Sequence, residues 1–442
     1  MSRTDRHLRI LEYGLVHKSD VGARAFRELQ RFDAALAGRN GTTVLDWSHP
    51  HHAKAGSMVG VLSVPGLTLE ILPKLDRDAS GTPAECAHAQ RNLLAMMRRA
   101  GWIRFHNADL AALSHESTTL LDVHAWIFAR RLREELNRGL DRAYITRREN
   151  MRFLRGRLIE PEHSRRNLVL KHSFFVEHDE LAEDHRLNHT LKAATRILLR
   201  QTRHPRPRAL LASLLEELTH VSDLAPSQLT EPVHFHRNNE RYRPLYNFAR
   251  SVLAHHAPAP RSGTEHSFSL LIPMEVLFEE YFGRLLKWGA HRLGLDPSKI
   301  HLQAKGHSLP LLRDLQTNRD HFHLKPDVYI EPHGEFAGAV LDTKWKLLDP
   351  TKQAMGVRIS DVYQVLAYRQ RYKVPLIGLV HPGPAGQGQQ RYRTHCDGDL
   401  RVSSLPCGSD AASLDEACLA ALREILSSTI SISMPRACAK LN

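Results

Sequence analysis

Residues 325–346, KPDVYIEPHGEFAGAVLDTKWK, constrain the fold more than any other stretch of the chain. From Lys325 to Glu331 and again from Ala339 to Lys346, side chains alternate with the two-residue period of a β-strand. Val328 and Ile330 fall on the face opposite Asp327 and Tyr329. Asp342 and Lys344 share one face, while Leu341, Thr343 and Trp345 take the other. His333-Gly334 between the two runs is a turn signal. A hairpin centred between Gly334 and Glu335 sets Asp327 directly opposite Asp342, with side chains roughly 4.5–5.5 Å apart. A slip of one residue would destroy that arrangement.

Two carboxylates that close repel one another unless a cation sits between them. Carboxylate oxygens suit Mg²⁺, which keeps several waters and uses one or two protein carboxylates plus substrate phosphate. Lys344 adds a positive charge that can orient or help deprotonate an attacking water and stabilise phosphorane-like charge. The set is a recipe for metal-assisted phosphodiester hydrolysis; the plain alternative is an exposed hairpin with ordinary surface charges. Two helices flank it. In residues 275–288, EVLFEEYFGRLLKW, the apolar face is Leu277, Phe278, Tyr281, Phe282, Leu285 and Leu286. Glu279 sits at the border of that face, within reach of a sheet-edge site, and Glu280 points away. The second helix, SDVYQVLAYRQRY, starts at Ser360-Asp361, and Gln364 and Tyr368 share a face at i,i+4. A glutamine there can position water or phosphate.

At 442 residues the chain exceeds one ordinary domain. We expect a multidomain α+β to α/β protein. Residues 1–80 read as a β-rich N-terminal domain, 84–258 as a mainly helical middle region, 265–400 as an α/β domain holding the hairpin, and 401–442 as a C-terminal extension. The first boundary rests on the stretch 76–84 and the second on the linker 257–264, APAPRSGT. Residues 7–16 read as one strand. Between Arg130 and Arg157 there are ten arginines against four acidic residues, either a phosphate-binding surface or a solvated helix face. The net charge of +13 and pI near 9.7 point to a polyanionic partner, although a basic genome-wide composition gives the same balance.

Five cysteines without a Cys-x-x-Cys pair argue against a disulfide framework or a regular zinc finger and leave buried free thiols as the default. His321-Phe322-His323, with His395-Cys396 downstream, reads as ordinary polar side chains rather than a zinc site. There is no G-x-x-x-x-G-K-[ST], so any nucleotide hydrolysis must come from another chain. No apolar run approaches the ~20 residues of a membrane span, and the N-terminus lacks the apolar core of a signal peptide. A soluble, cytoplasmic protein is expected.

Asp327 in KPD, followed by Asp342-Thr343-Lys344, resembles the core motif of the PD-(D/E)xK nuclease superfamily. Glu279 matches the acidic residue often found on the first helix of that superfamily, and Gln364 the glutamine of a later helix. More of the chain is similar to the McrC family, the nuclease subunits of McrBC-type modification-dependent restriction systems. The matching pieces include LEYG at 11–14, VGVLSVPGLTLEILPKL at 59–75, YITRRENMRFLRGRL at 144–158, DHRLNHTLKAA at 184–194, NNERYRPL at 238–245, LDTKWK at 341–346 and DVYQVLAYR at 361–369. The resemblance implies a C-terminal restriction-endonuclease-like domain and a Mg²⁺-dependent endodeoxyribonuclease. Asp327, Asp342, Lys344, Glu279 and Gln364 would be its catalytic residues, and Asp327, Asp342 and Glu279 its metal ligands. It also implies an N-terminal part that docks on an McrB-like AAA+ GTPase ring and stimulates it, the ring recognising modified cytosine in double-stranded DNA. The competing readings are a non-catalytic DNA-binding adaptor that activates an NTPase, and a stand-alone nuclease.

Overall fold

The structure, a computed structural model, describes residues 6–41, 43–102, 118–169, 172–229, 231–254, 256–258, 266–384, 389–394 and 398–426. Most of the expected linker (259–264), His395, Cys396 and the end of the expected extension (427–442) lie outside the described residues. Two compact units are present: residues 1–60, 67–105 and 271–442 form the first, and residues 61–66 and 106–270 the second. Among the described residues no helix is long and apolar enough to cross a membrane.

The first unit does not follow the expected boundaries. Strands β1 (Arg6–Leu11) and β2 (Leu67–Leu72) pair in parallel, Ile10 with Ile71 and Leu11 with Leu72. The strand expected to run from 7 to 16 stops at Leu11. Tyr13 takes a left-handed φ of 63°, the Gly14 N–H donates back to the Leu11 carbonyl, and the next strand, Leu15–His17, pairs instead with His52–Ala55. Helix α1 (Pro83–Arg99) begins in a capping box in which the Thr82 hydroxyl accepts from the Glu85 N–H and the Glu85 carboxylate accepts from the Thr82 N–H. Residues 1–80 are not a separate body because their polar groups, and those of α1, find partners at the other end of the chain. Trp345 donates its indole N–H to Glu12, Asn92 Nδ2 donates to the carbonyls of Cys407 (2.8 Å) and Ser409 (2.7 Å), and Arg99 binds Asp415 through Nε and Nη2.

The rest of this unit is built on a six-stranded sheet. Helix α2 (Met274–Gly289) is followed by β3 (Ile300–Leu302), β4 (Val328–Ile330), β5 (Ala339–Thr343), helix α3 (Ile359–Tyr372), β6 (Leu376–Pro382), β7 (Gln390–Thr394), β8 (Gly398–Leu405) and helix α4 (Leu414–Leu426). The strand order is β3-β4-β5-β6-β8-β7. β5, β6 and β8 are mutually parallel, and β5 and β6 are buried along their whole length, as expected where side chains on both faces are covered. The α2 side chains Leu277, Phe278, Tyr281, Phe282, Leu285 and Leu286 are fully buried. Val365, Tyr368 and Tyr372 of α3 share a core with Val340, Ile377, Leu379 and Val402. The boundary expected at 400 falls inside β8, so the described part of the extension completes this sheet and its helix layer instead of being appended to it. Among the described residues Cys86, Cys407 and Cys418 are buried free thiols.

The second unit holds the helices Leu120–Leu136, Arg186–Gln201, Pro205–Glu217 and Arg243–Ala254. The arginine-rich stretch is not one helix face, however. Its second half is the strand Ala143–Met151, paired antiparallel with Phe174–Ala182. The strand was hidden because it is exposed for most of its length and has little apolar alternation. Facing acids offset part of its charge: Arg147 meets Glu180 at 2.7 Å and Arg148 meets Glu177 at 2.6 Å. Each such exposed pair contributes at most about 1 kcal/mol.

Candidate active site

The hairpin register places the two central carboxylates. Val328 pairs with Leu341, Tyr329 with Val340 and Ile330 with Ala339. His333 and Phe336 close the hairpin by exchanging N–H···O bonds of 3.0 and 2.9 Å, which leaves Gly334 and Glu335 as the turn residues. Gly334 has φ +54°, a conformation that costs a residue without Cβ little. Asp327 stands one residue before β4 and Asp342 near the end of β5, as a turn centred between Gly334 and Glu335 requires.

Asp342 is 1% exposed. Lys344 returns its Nζ to 2.5 Å from Asp342 Oδ2, consistent with the shared face. Thr343 departs from simple alternation: at the strand end its hydroxyl and its N–H both donate to Asp327 Oδ2, at 2.6 and 2.7 Å. Burial, then the charge of Asp327, pushes the Asp342 carboxyl up to about 7 against the opposing pull of Lys344. Burial also raises Asp327, opposed by the Thr343 hydrogen bonds and by Lys344. Glu279 is raised by burial and by Asp327, with a hydrogen bond from Gln303 and the charge of Lys344 opposing. Burial pulls the Lys344 ammonium down, but Asp342, Asp327 and Asp361 outweigh it and its pKa is raised. The group is therefore a set of carboxylates raised first by burial and only partly offset by Lys344.

All five residues expected from sequence, Glu279, Asp327, Asp342, Lys344 and Gln364, line one cleft of about 1070 Å³. Gln364 donates from Nε2 to the Tyr368 hydroxyl at 2.8 Å, so the i,i+4 pair is joined directly. Lys54, Lys74, Arg77, Lys346, Lys352 and Arg358 also line the cleft. Glu280 accepts from the Trp102 indole instead, pointing away as expected.

Sequence reasoning missed four other acids that line this cleft, Glu12, Glu275, Asp349 and Asp361. Asp361, expected at the helix start, lies in the first turn of α3 after its cap Arg358, where its charge acts on Asp342 and Lys344. Its position three residues before Gln364, on the same helix face, was the available signal. Glu12 accepts from the Trp345 indole (3.0 and 3.1 Å) and from the Lys74 N–H (2.9 Å). Burial raises its carboxyl to about 8. Trp345 packs its ring edge-on against Phe278, so Glu12 anchors the residue adjoining Lys344. Glu12→Ala leaves a buried indole N–H and a backbone N–H without their acceptor. We expect it to destabilise the chain by about 2–4 kcal/mol, read as a lower denaturant midpoint; a midpoint equal to wild type would mean that the anchor is dispensable. His321 and His323 are exposed on the hairpin formed by Leu309–Arg313 and Asp320–Leu324.

Residues 53–382 match the family described as McrBC 5-methylcytosine restriction system component. No curated protein matches the chain. Among solved structures, it is similar to a chain in the refined half-complex from the tetradecameric assembly of Thermococcus gammatolerans McrB AAA+ hexamers with bound McrC. The identity there is 20% and the TM-score 0.66, covering 95% of this chain and 100% of that one. A second similarity is to a chain of the Thermococcus gammatolerans McrBC complex, with 23% identity and a TM-score of 0.48, covering 64% of this chain and 87% of that one.

Proposed function

Because the chain belongs to the family of McrBC 5-methylcytosine restriction system components, we propose that it is the DNA-cutting subunit of such a system. In this reading it is a Mg²⁺-dependent endodeoxyribonuclease of the PD-(D/E)xK type. It docks on an McrB-like AAA+ GTPase ring and stimulates it, and the ring selects the modified DNA. The partner is supported by the fold similarity to a chain from an assembly of McrB hexamers with bound McrC. The observation that carries the chemistry is the convergence of Asp327, Asp342, Glu279 and Lys344 in a cleft that basic side chains also line.

The donor set fits Mg²⁺. It is all oxygen, and Asp342 Oδ2 is buried without a well-oriented hydrogen-bond donor, with only the Lys344 ammonium at 2.5 Å. Asp327, Asp342 and Glu279 would hold the ion, which when bound supplies Lewis-acid stabilisation of charge on the scissile phosphate. Thr343 fixes the Asp327 carboxylate by two hydrogen bonds and so limits its reorganisation. Lys344 holds an ammonium where it can orient an attacking water and steady the charge that develops on phosphate oxygens. Gln364, tied to Tyr368, offers its amide oxygen to a water or substrate group. Lys54, Lys74 and Lys346 offer positive charge to the DNA backbone.

Metal binding must displace the proton that Asp342 retains below about 7. Mg²⁺ affinity, measured calorimetrically, is therefore expected to weaken by up to about tenfold per unit as pH falls below 7. Cleavage of methylated plasmid by the chain and its ring partner should stop on adding EDTA and return with Mg²⁺. EDTA-resistant cleavage would sink the reading.

A further inference from the structure

A second cluster of metal-ligand residues lies apart from the carboxylate cleft, at the β3 edge of the sheet. His301 is on β3, opposite Tyr329 of β4, and Glu331 follows β4 directly. His307 comes back over them through a tight turn in which Gln303 and Ala304 both take left-handed φ values, 52° and 44°, and the His307 N–H donates to the Ala304 carbonyl. The His301 and His307 rings end 3.7 Å apart between centroids. One carboxylate oxygen, Glu331 Oε1, lies 2.9 Å from His301 Nε2 and 3.0 Å from His307 Nε2.

Hydrogen bonding alone accounts poorly for this convergence. His301 Nε2 is buried and makes no hydrogen bond of acceptable geometry despite its short distance to Glu331. His307 Nδ1 lies 3.2 Å from the Lys305 carbonyl, which can only accept, so Nδ1 carries a proton there. In the neutral ring Nε2 then presents a lone pair to a carboxylate oxygen. An imidazole lone pair and a carboxylate oxygen aimed at one another, with a second imidazole nitrogen converging on the same oxygen, form a donor set for a cation. The surroundings have the outer contacts usual for such ligands: a backbone carbonyl on the far nitrogen of His307, and the Lys299 ammonium 2.9 Å from the other Glu331 oxygen, Oε2, which leaves Oε1 free for an ion.

We propose that His301, His307 and Glu331 form a divalent transition-metal site of the zinc class, completed by solvent. Nitrogen and oxygen ligands of this kind favour Zn²⁺ over Mg²⁺. Ligands 2.0–2.1 Å from a tetrahedral ion stand about 3.3 Å apart, so the present separations need only a small outward shift. His307 keeps 38% of its side chain exposed, which leaves solvent access for the fourth ligand. The site ties the short edge strand β3 and its strained turn to β4, the strand that follows Asp327. Its role is structural, and it is distinct from the Mg²⁺ cleft.

The test uses the full chain carrying Asp342→Asn, which weakens the carboxylate cluster as a competing site. After chelation and dialysis, titration with Co²⁺ should give the intense visible absorption of a tetrahedral ion, saturating at one equivalent and bleached by Zn²⁺. His307→Ala in the same background should abolish that absorption, and Glu331→Gln should weaken Co²⁺ at least about tenfold. Added Zn²⁺ should raise the thermal midpoint of the parent and leave that of His307→Ala unchanged. His307 sits on a partly exposed turn, so that variant should keep the parent circular dichroism. A weak octahedral Co²⁺ spectrum, or a tetrahedral one that survives His307→Ala, overturns the site and leaves the cluster as an ion pair.

Discussion

Asp342→Asn is expected to lose DNA cleavage by at least about 10³-fold and yet to unfold at a higher temperature than wild type in Mg²⁺-free buffer above pH 7. The two effects share one cause. The folded chain holds the Asp342 proton up to about 7, above the ordinary carboxyl value of 3.8. A pKa raised on folding means that the native state binds the proton more tightly than the unfolded state does. Its contribution is therefore most favourable below about pH 4 and is lost as pH climbs to 7. Above that, the buried charge destabilises the fold by an amount of order 1–4 kcal/mol. Asparagine carries no charge and escapes this cost, so the gain in thermal midpoint should be present at pH 8 and vanish near pH 4. Lys344→Ala should also lose cleavage but with the opposite effect on stability, because it leaves Asp342 without its nearest cation. Undiminished cutting by Asp342→Asn with partner and Mg²⁺ would remove the carboxylate cleft from the chemistry.

The second large effect is dependence on the partner. A basic chain binds any duplex through phosphate contacts that weaken steeply with salt, and nothing in its sequence resembles a module that reads base edges. Alone, the chain should bind methylated and unmethylated DNA alike, hydrolyse no GTP and cut either plasmid at least about 10²-fold more slowly than the full assembly. With the ring partner, Mg²⁺ and a hydrolysable nucleotide, methylated plasmid should be linearised, and a non-hydrolysable nucleotide should block this. Because each strand needs its own cut, two copies of the chain are expected to meet on the DNA. Rapid cutting of unmodified plasmid by the chain alone would favour a stand-alone nuclease.

The hairpin was legible because period-two alternation and a two-residue turn leave little freedom: one register buries Val328, Ile330, Ala339 and Leu341 together. Alternation stops informing at a strand end, and there Thr343 turned toward Asp327. Glu279 and Gln364 were legible because an amphipathic helix fixes which side chains lie at the border of its buried face. Contacts between distant segments leave no local trace. Nothing near Glu12 marks Trp345 as its partner, and nothing in the composition of residues 401–426 says that they complete a sheet begun a hundred residues earlier. The helix-face reading of the arginine-rich stretch fails at the strand because its cross-strand glutamates, about thirty residues away, make up for the apolar pattern it lacks.

The pairing of Glu12 with Trp345 has a consequence for biosynthesis. The two residues are 333 positions apart. At about 5–20 residues per second, a ribosome releases the N-terminal strand roughly 15–70 seconds before its partner exists. Over that interval β1, β2 and α1 have none of the segments after residue 270 against which they later pack. Asp327, Asp342 and Lys344 likewise emerge late, and the strand β8 that completes their sheet comes later still. The carboxylate cleft, lined at once by Glu12 and by residues as far along as Pro382, can close only after Pro382 has emerged. A nascent chain interrupted at any earlier point carries no assembled carboxylate cleft.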